Sequence, residues 1–225
     1  MSTMTSTLER PTETLERKAV MGEDANTLTA IYDQDVNIAV WQREHSDELN
    51  LAIDEFMEQH PKAAATLAVS PTTTHDEMYK AFKQSPAVTT LADDIALIVD
   101  MFCCLFEQKR AGLRLTVIDG AMCPRFHVDL IPCRLVTTYR GIATEWLKND
   151  AIDRTKLGLG NQGKSDEESG LFKQKSDINQ LTEGDVALLK GENWQETKGG
   201  GLVHRSPLII DDTKRLLLTL DFIDF

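Results

Sequence analysis

The hydrophobic pattern of this 225-residue chain changes period near Gly112, and that change limits the folds open to it. Upstream, apolar residues recur at helical spacing. Leu91, Ile95, Ile98, Phe102 and Leu105 follow a 4-3-4-3 rhythm that predicts a long helix over about 91–109. Leu49, Ile53, Phe56 and Met57 predict another from Asp47 to His60, stopped by Pro61. Thr74-His75-Asp76-Glu77 reads as a capping box opening a short helix through about Lys83. One early strand is expected in DVNIAVW, ending at Trp41. Downstream the period drops to two. LRLTVID, RFHVD, CRLVTTYR, TEWL, DVALLK, LVHR, PLII and RLLLTLDF are short segments of the kind that pair as antiparallel strands. Helices followed by strands predict an α+β protein rather than alternating βαβ units. The economical architecture is one antiparallel sandwich or barrel backed by the long helix.

Two stretches stand outside this pattern. Residues 1–25 are rich in Thr, Glu and Ser and read as a mobile tail, leaving 26–225 as a single domain. Within it, 26–111 is expected to be mainly helical support and 112–225 the β core. Residues 148–183 carry Gly158, Gly160, Gly163, Gly170 and the polar run GKSDEESG. A loop of that length is usually functional or disordered, so it reads as a lid or a mobile surface insertion. The charge balance is 24 basic against 36 acidic residues, a net −12, which repels phosphate backbones and anionic lipid. No apolar run is long enough to span a bilayer. The N-terminus has no apolar signal core, and the adjacent Cys103 and Cys104 do not suit a disulfide framework. A reducing cytoplasm is the expected compartment.

Three of the five histidines begin an H-x-D or H-x-E triplet, so the triplet alone selects nothing. Backbone context does. Residues i and i+2 share a face on a strand but diverge on a helix. His45 and His75 fall where helices open, and Asp47 and Glu77 suit those helix starts. His60 falls at a helix end, as a partner for its dipole. Only His127 and Asp129 fall in a strand-forming context, RFHVD. His204 lies on a short segment of the same β region. Two histidines and one carboxylate can bind one face of ferrous iron and leave three positions open. The plainer alternative is a buried His127–Asp129 hydrogen bond with an unrelated His204.

The surrounding residues carry a resemblance. HVD, then an arginine and Leu-Val-Thr-Thr-Tyr, then GDVALLKG, then HRSP and a basic pair opening a strand resemble the iron- and 2-oxoglutarate-dependent dioxygenases, nearest to their prolyl-hydroxylase-like branch. This likeness covers about 112–225. The segments CPRFHVDLIPCRLVTTYRGIATEWL and GDVALLKGENW…GGGLVHRSP also resemble a bacterial family, domain of unknown function 1826, from about Leu28 onward. The dioxygenase resemblance implies a double-stranded β-helix, or jelly roll. It implies Fe(II) on His127, Asp129 and His204, and a basic residue about ten positions after the distal histidine for the far carboxylate of 2-oxoglutarate. Lys214 and Arg215 both qualify. Leu216, Leu218 and Leu220 form one apolar strand face, so Arg215, on the mixed face with Leu217, Thr219 and Asp221, is expected to point into the pocket. Tyr139 would bond the same carboxylate if it keeps strand parity with His127, although Pro132 between them permits a bulge. Arg134 matches a prolyl-hydroxylase arginine but has the opposite parity. Arg125, Arg134, Glu145, Trp146 and Arg205 are the candidates for the substrate side. The implied reaction decarboxylates 2-oxoglutarate to succinate and hydroxylates a small molecule or a protein side chain.

Two other readings remain open. Cys123 and Cys133 flank HVD, so Cys123, His127, Cys133 and His204 could converge on zinc, which thiolates favour over iron. The resemblance to the uncharacterised family points toward such a metal-homeostasis role without oxygenase activity. A non-catalytic jelly-roll binding module would use His127 and Asp129 only as hydrogen-bond partners. The run Gly199-Gly200-Gly201 would let the backbone pass close to a ligand.

Overall fold

The computed structural model describes residues 16–195, 199–208 and 213–223. In chain order it runs β1 (Lys18–Gly22), a 3-10 segment (Ala25–Tyr32), β2 (Val36–Trp41), α1 (Asp47–Gln59), β3 (Ala64–Val69), α2 (Thr74–Phe82), α3 (Pro86–Leu105) and β4 (Ala111–Ile118). It continues with β5 (Cys133–Arg140), β6 (Glu145–Leu147), α4 (Asp166–Ser169), β7 (Ile178–Gln180), β8 (Val186–Lys190), β9 (Val203–Arg205) and β10 (Arg215–Asp221).

The helices form where the pattern places them, with local reasons for their ends. Ser46 accepts from the Leu49 amide at 3.2 Å and opens α1. Ser85 does the same for Val88, with Pro86 in the first turn of α3, so this helix begins earlier than its apolar stripe. It ends at Leu105, where Glu107 turns to a positive φ of 52°. The capping box of α2 does not form. Thr73 is the residue before the helix, its hydroxyl accepts from the Ser70 amide at 2.9 Å, and Glu77 pairs with Lys80 at 2.7 Å. His60, just past α1, packs its ring on Phe56 and Phe82.

Seven strands form one sheet in the order β1-β2-β8-β5-β10-β4-β3, and three form a second in the order β7-β6-β9. The large sheet separates two cores. Its outer face packs on α1, α2 and α3 through Leu113, Leu115, Leu135, Leu188, Leu216 and Leu218, against Ile53, Phe56, Leu91, Ile95 and Phe102. Its inner face packs toward the small sheet through Ile38, Val40, Val136, Ala187 and Leu189, which meet Trp146 and Leu202. The alternation of β10 divides between these cores as its sequence demands.

Three expectations need correction. Residues 18–22 are not tail: β1 pairs parallel with β2. Residues 26–111 are mainly helical, in α1, α2, α3 and the 3-10 segment, and β2 and β3 within them also join the large sheet. The 148–183 segment is a packed part of the fold. It carries 3-10 turns, α4 and β7, and Leu171 and Phe172 build a small core with Phe126, Leu147 and Val203. RFHVD is not a strand; it contributes one bridge, His127 to His204. PLII falls partly outside the described residues, as does most of the expected tail. No helix among the described residues is long and apolar enough to cross a membrane.

Candidate metal centre

His127 and His204 meet across the single bridge, each backbone amide bonding the other's carbonyl at 3.0 Å. Their rings lie 4.6 Å apart, centroid to centroid. Each ring is held through Nδ1 by a carbonyl two residues upstream, Arg125 at 2.9 Å for His127 and Leu202 at 3.2 Å for His204. A carbonyl only accepts, so Nδ1 carries the proton and the Nε2 lone pair faces outward. Asp129 completes the group. Its Oδ1 lies 3.7 Å from His127 Nε2, and its Oδ2 lies 3.5 Å from His204 Nε2. One ligand atom from each residue lies within 4.8 Å of the others. These separations are long for hydrogen bonds and suit a shared ion, whose adjacent ligands in an octahedral site sit about 3 Å apart. Burial pushes the His204 imidazole well below its usual pKa, which keeps it neutral and able to ligate.

The supporting shell is built on a turn rather than a strand. Residues 129–132 fold against the end of β8: the Glu192 amide bonds Asp129 O and the Gly191 amide bonds Pro132 O, both at 2.8 Å. A Cβ on Gly191 would collide with Ile131 O, and one on Gly201 with the Val128 side chain. The glycine before His204 thus serves the close approach of the metal-site turn. Arg134 grips Asp221 through Nε and Nη2 at 2.8 and 2.9 Å and holds Asp129 Oδ2 through Nη1 at 2.8 Å. Burial alone would lower the Arg134 pKa, but Asp221 and Asp129 raise it. Asp129 Oδ1 remains free of that ion pair.

A cavity opens beside this group, with His127, His204, Arg215, Ser206, Thr144 and Leu217 in its wall. Arg215 is 1% exposed. Its Nη1 donates to Ser206 Oγ at 2.8 Å and its Nη2 more weakly to Thr138 Oγ1 at 3.4 Å. Its Nε is buried with no partner. No carboxylate pairs with it among the described residues, and burial lowers its pKa to about 10. A buried guanidinium without an anion is costly, and the cavity beside Arg215 would give a carboxylate access to it. The donor set fits both groups that the dioxygenase resemblance implies: two neutral imidazoles and a carboxylate for a divalent metal, and an orphaned buried cation for a dicarboxylate.

The sequence matches the family described as protein of unknown function, DUF1826, over residues 22–221. The chain belongs to that family. No curated protein is detectably similar in sequence. Among solved structures, the rice dioxygenase for auxin oxidation is similar over 92% of this chain and 83% of its own, at 13% identity and a TM-score of 0.52. The Arabidopsis thaliana dioxygenase for auxin oxidation 1, in a binary complex with 2-oxoglutarate, is similar over 92% of both chains at 8% identity and a TM-score of 0.52. A Pseudomonas putida prolyl-4-hydroxylase is similar over 87% of this chain and 96% of its own, at 10% identity and a TM-score of 0.46. The likeness to the two auxin-oxidation dioxygenases shows that the DUF1826 chain has a mixed α+β, dioxygenase-like fold.

Several residues of the DUF1826 chain sit elsewhere than expected. Tyr139 lies on the outer face of β5; its hydroxyl donates to Asp94 Oδ2 at 2.6 Å and its ring stacks on His45. The turn at 129–132 breaks the parity that would have carried it to the pocket and brings in Arg134 instead. Lys214 is exposed and reaches Pro61 O at 3.3 Å, away from the cavity. Arg125 is exposed and bonds Lys164 O. Arg205 contributes to the cavity wall, but its guanidinium is committed to Glu145 at 2.6 Å, Glu167 at 3.0 Å and Asp166 at 3.4 Å, over the Phe126 ring. Glu145 is thereby engaged, and Trp146 packs between the sheets. Cys123 stands exposed at the cavity. Cys133 is buried in the helix-side core, and burial pushes its thiol far above the usual range. Neither cysteine joins the metal group, so the zinc set does not assemble. Thr138, Thr144, Ser206 and Arg114 went unremarked; the alternation of β5 and β4 could have supplied Thr138 and Arg114.

Proposed function

We propose that this DUF1826 protein is an iron(II)- and 2-oxoglutarate-dependent oxygenase with a double-stranded β-helix core, acting on a small molecule or a protein side chain. The observation that carries this reading is Arg215, a buried cation without a counter-ion among the described residues, in the cavity whose wall also holds His127 and His204 of the His-Asp-His group. The complex of the Arabidopsis neighbour with 2-oxoglutarate supports it. His127 Nε2, Asp129 and His204 Nε2 would hold the iron. When bound, iron and 2-oxoglutarate supply oxidation of a C–H bond coupled to decarboxylation of the keto acid to succinate. The chain supplies placement. Arg215, with Ser206 and Thr138 beside it, binds the far carboxylate; Arg134 orients Asp129; and Val136, Leu189 and Leu217 keep the cavity wall apolar.

The test is an anaerobic titration of metal-free protein with ferrous iron, then 2-oxoglutarate, followed by visible absorption. A charge-transfer band that needs both additions and disappears in Arg215→Ala is the expected result. Absence of the band, with tight zinc binding in its place, overturns the reading.

A further inference from the structure

We propose that the substrate of this site carries a carboxylate or phosphate group and that Arg114 receives it. This rests on the oxygenase reading above. Four arginines line the cavity: Arg114, Arg134, Arg205 and Arg215. Arg134 is held by two carboxylates and Arg205 by three. Arg215 lies deep and is assigned to the co-substrate. Arg114 alone is exposed and makes no hydrogen bond or ion pair with any described residue. Every other arginine among the described residues bonds at least one group of the chain, and Arg17, Arg110 and Arg154 do so through carbonyl or amide oxygens.

Its position matches a substrate role. Arg114 lies on β4 opposite Thr219 of β10 and Thr66 of β3, two hydroxyl neighbours on the same inner face. The small sheet covers that face at β2, β8 and β5, where Ile38, Val40, Ala187 and Val136 are buried. It does not reach β3, where Ala64, Thr66 and Ala68 are exposed. Beside this cavity there is therefore an open shelf of small and hydroxyl side chains with Arg114 on it, while Arg110 is held by Ala68 O at its end. A guanidinium with free donors over such a shelf fits a planar or tetrahedral oxyanion. As a structural device it contributes little, because an exposed arginine without a partner stabilises nothing measurable.

The experiment uses the full chain loaded with Mn(II) and saturating 2-oxoglutarate, with Mn(II) retention followed by electron paramagnetic resonance. The probes are hexanoate, phenylacetate and phenyl phosphate, compared with hexanamide and phenylacetamide. Binding is read from paramagnetic relaxation of the probe protons. An acid should bind at least tenfold more tightly than its amide. Arg114→Gln should remove that preference and leave amide binding unchanged, while Arg114→Lys should retain part of it. Tighter binding of phenyl phosphate than of phenylacetate assigns the anion as phosphate; the reverse order assigns a carboxylate. Equal binding of acid and amide, no acid bound near the metal, or full preference in Arg114→Gln overturns the proposal and leaves the metal site standing. Mn(II) retention no better than in His127→Ala overturns the oxygenase reading itself, and this inference with it.

Discussion

Two arginines on opposite faces of the large sheet show how this fold treats a buried charge. Arg43 lies on the helix side, where it grips Asp94 with bonds of 2.6 and 2.9 Å; Tyr139 donates to the same carboxylate. Burial alone would lower the Arg43 pKa, yet Asp94 raises it above the usual value. Arg215 lies on the cavity side with two hydroxyls and no acid, and its pKa falls to about 10. The first charge is neutralised by the chain and serves the fold. The second has no acid among the described residues and is the one that the proposed co-substrate would neutralise. The difference is that between an ion pair closed within the chain and a buried cation beside an open cavity.

The sharpest break of this comparison is a pair of substitutions. Asp94→Ala strands Arg43 and should cost about 3–5 kcal/mol in urea unfolding. Arg215→Met should leave the ligand-free protein as stable or more so, while abolishing 2-oxoglutarate binding. A large stability loss in Arg215→Met would make the two arginines alike and remove the distinction. Next in size, 2-oxoglutarate at 100 times its Kd, with Mn(II), should stabilise the wild type by about 2.7 kcal/mol in a thermal melt and Arg215→Met not at all. A third buried cation extends the series. Lys190 is 1% exposed, donates to Asp33 O, and has its pKa lowered by burial to about 8. Between about pH 8 and 10.5 the unfolded chain holds the proton that the folded one has lost. The Lys190 contribution to stability should therefore rise with pH across that window, by on the order of 1–2 kcal/mol, read as the difference between wild type and Lys190→Met, in which the opposing titration of buried Cys133 and Tyr139 cancels. Smallest, Thr138→Val removes one weak bond to Arg215 and should weaken 2-oxoglutarate binding by about 1 kcal/mol in calorimetry.

The sequence was most legible where one physical constraint dominated. CRLVTTYR alternates cleanly and forms β5 over Cys133–Arg140, and β10 turns Arg215 to the cavity as its apolar partners require. Where two constraints compete, reading failed. Parity carried from His127 through Pro132 put Tyr139 in the pocket and Arg134 outside, because a turn of irregular backbone resets the count. The strand AATLAV was missed because alanine has no strong strand preference and β3 lies at a sheet edge. The 148–183 segment looks polar and glycine-rich, yet the Phe126–Phe172 ring pair, Leu171 and buried Asp166 tie it down; such long-range partners leave no local signal.

Strand β5 is a wall shared by two rooms. Thr138 faces Arg215 and the next residue, Tyr139, faces Asp94. Side chains on opposite faces communicate only through the backbone between them. Double-mutant cycles across the wall, such as Asp94 with Ser206, should therefore show near-zero coupling. Over evolutionary time the helical layer can accumulate substitutions while the cavity keeps its lining, and the cavity can change its lining without renegotiating the core. Insertion or deletion of a single residue within β5 is the exception: it would exchange the occupants of the two rooms at a stroke.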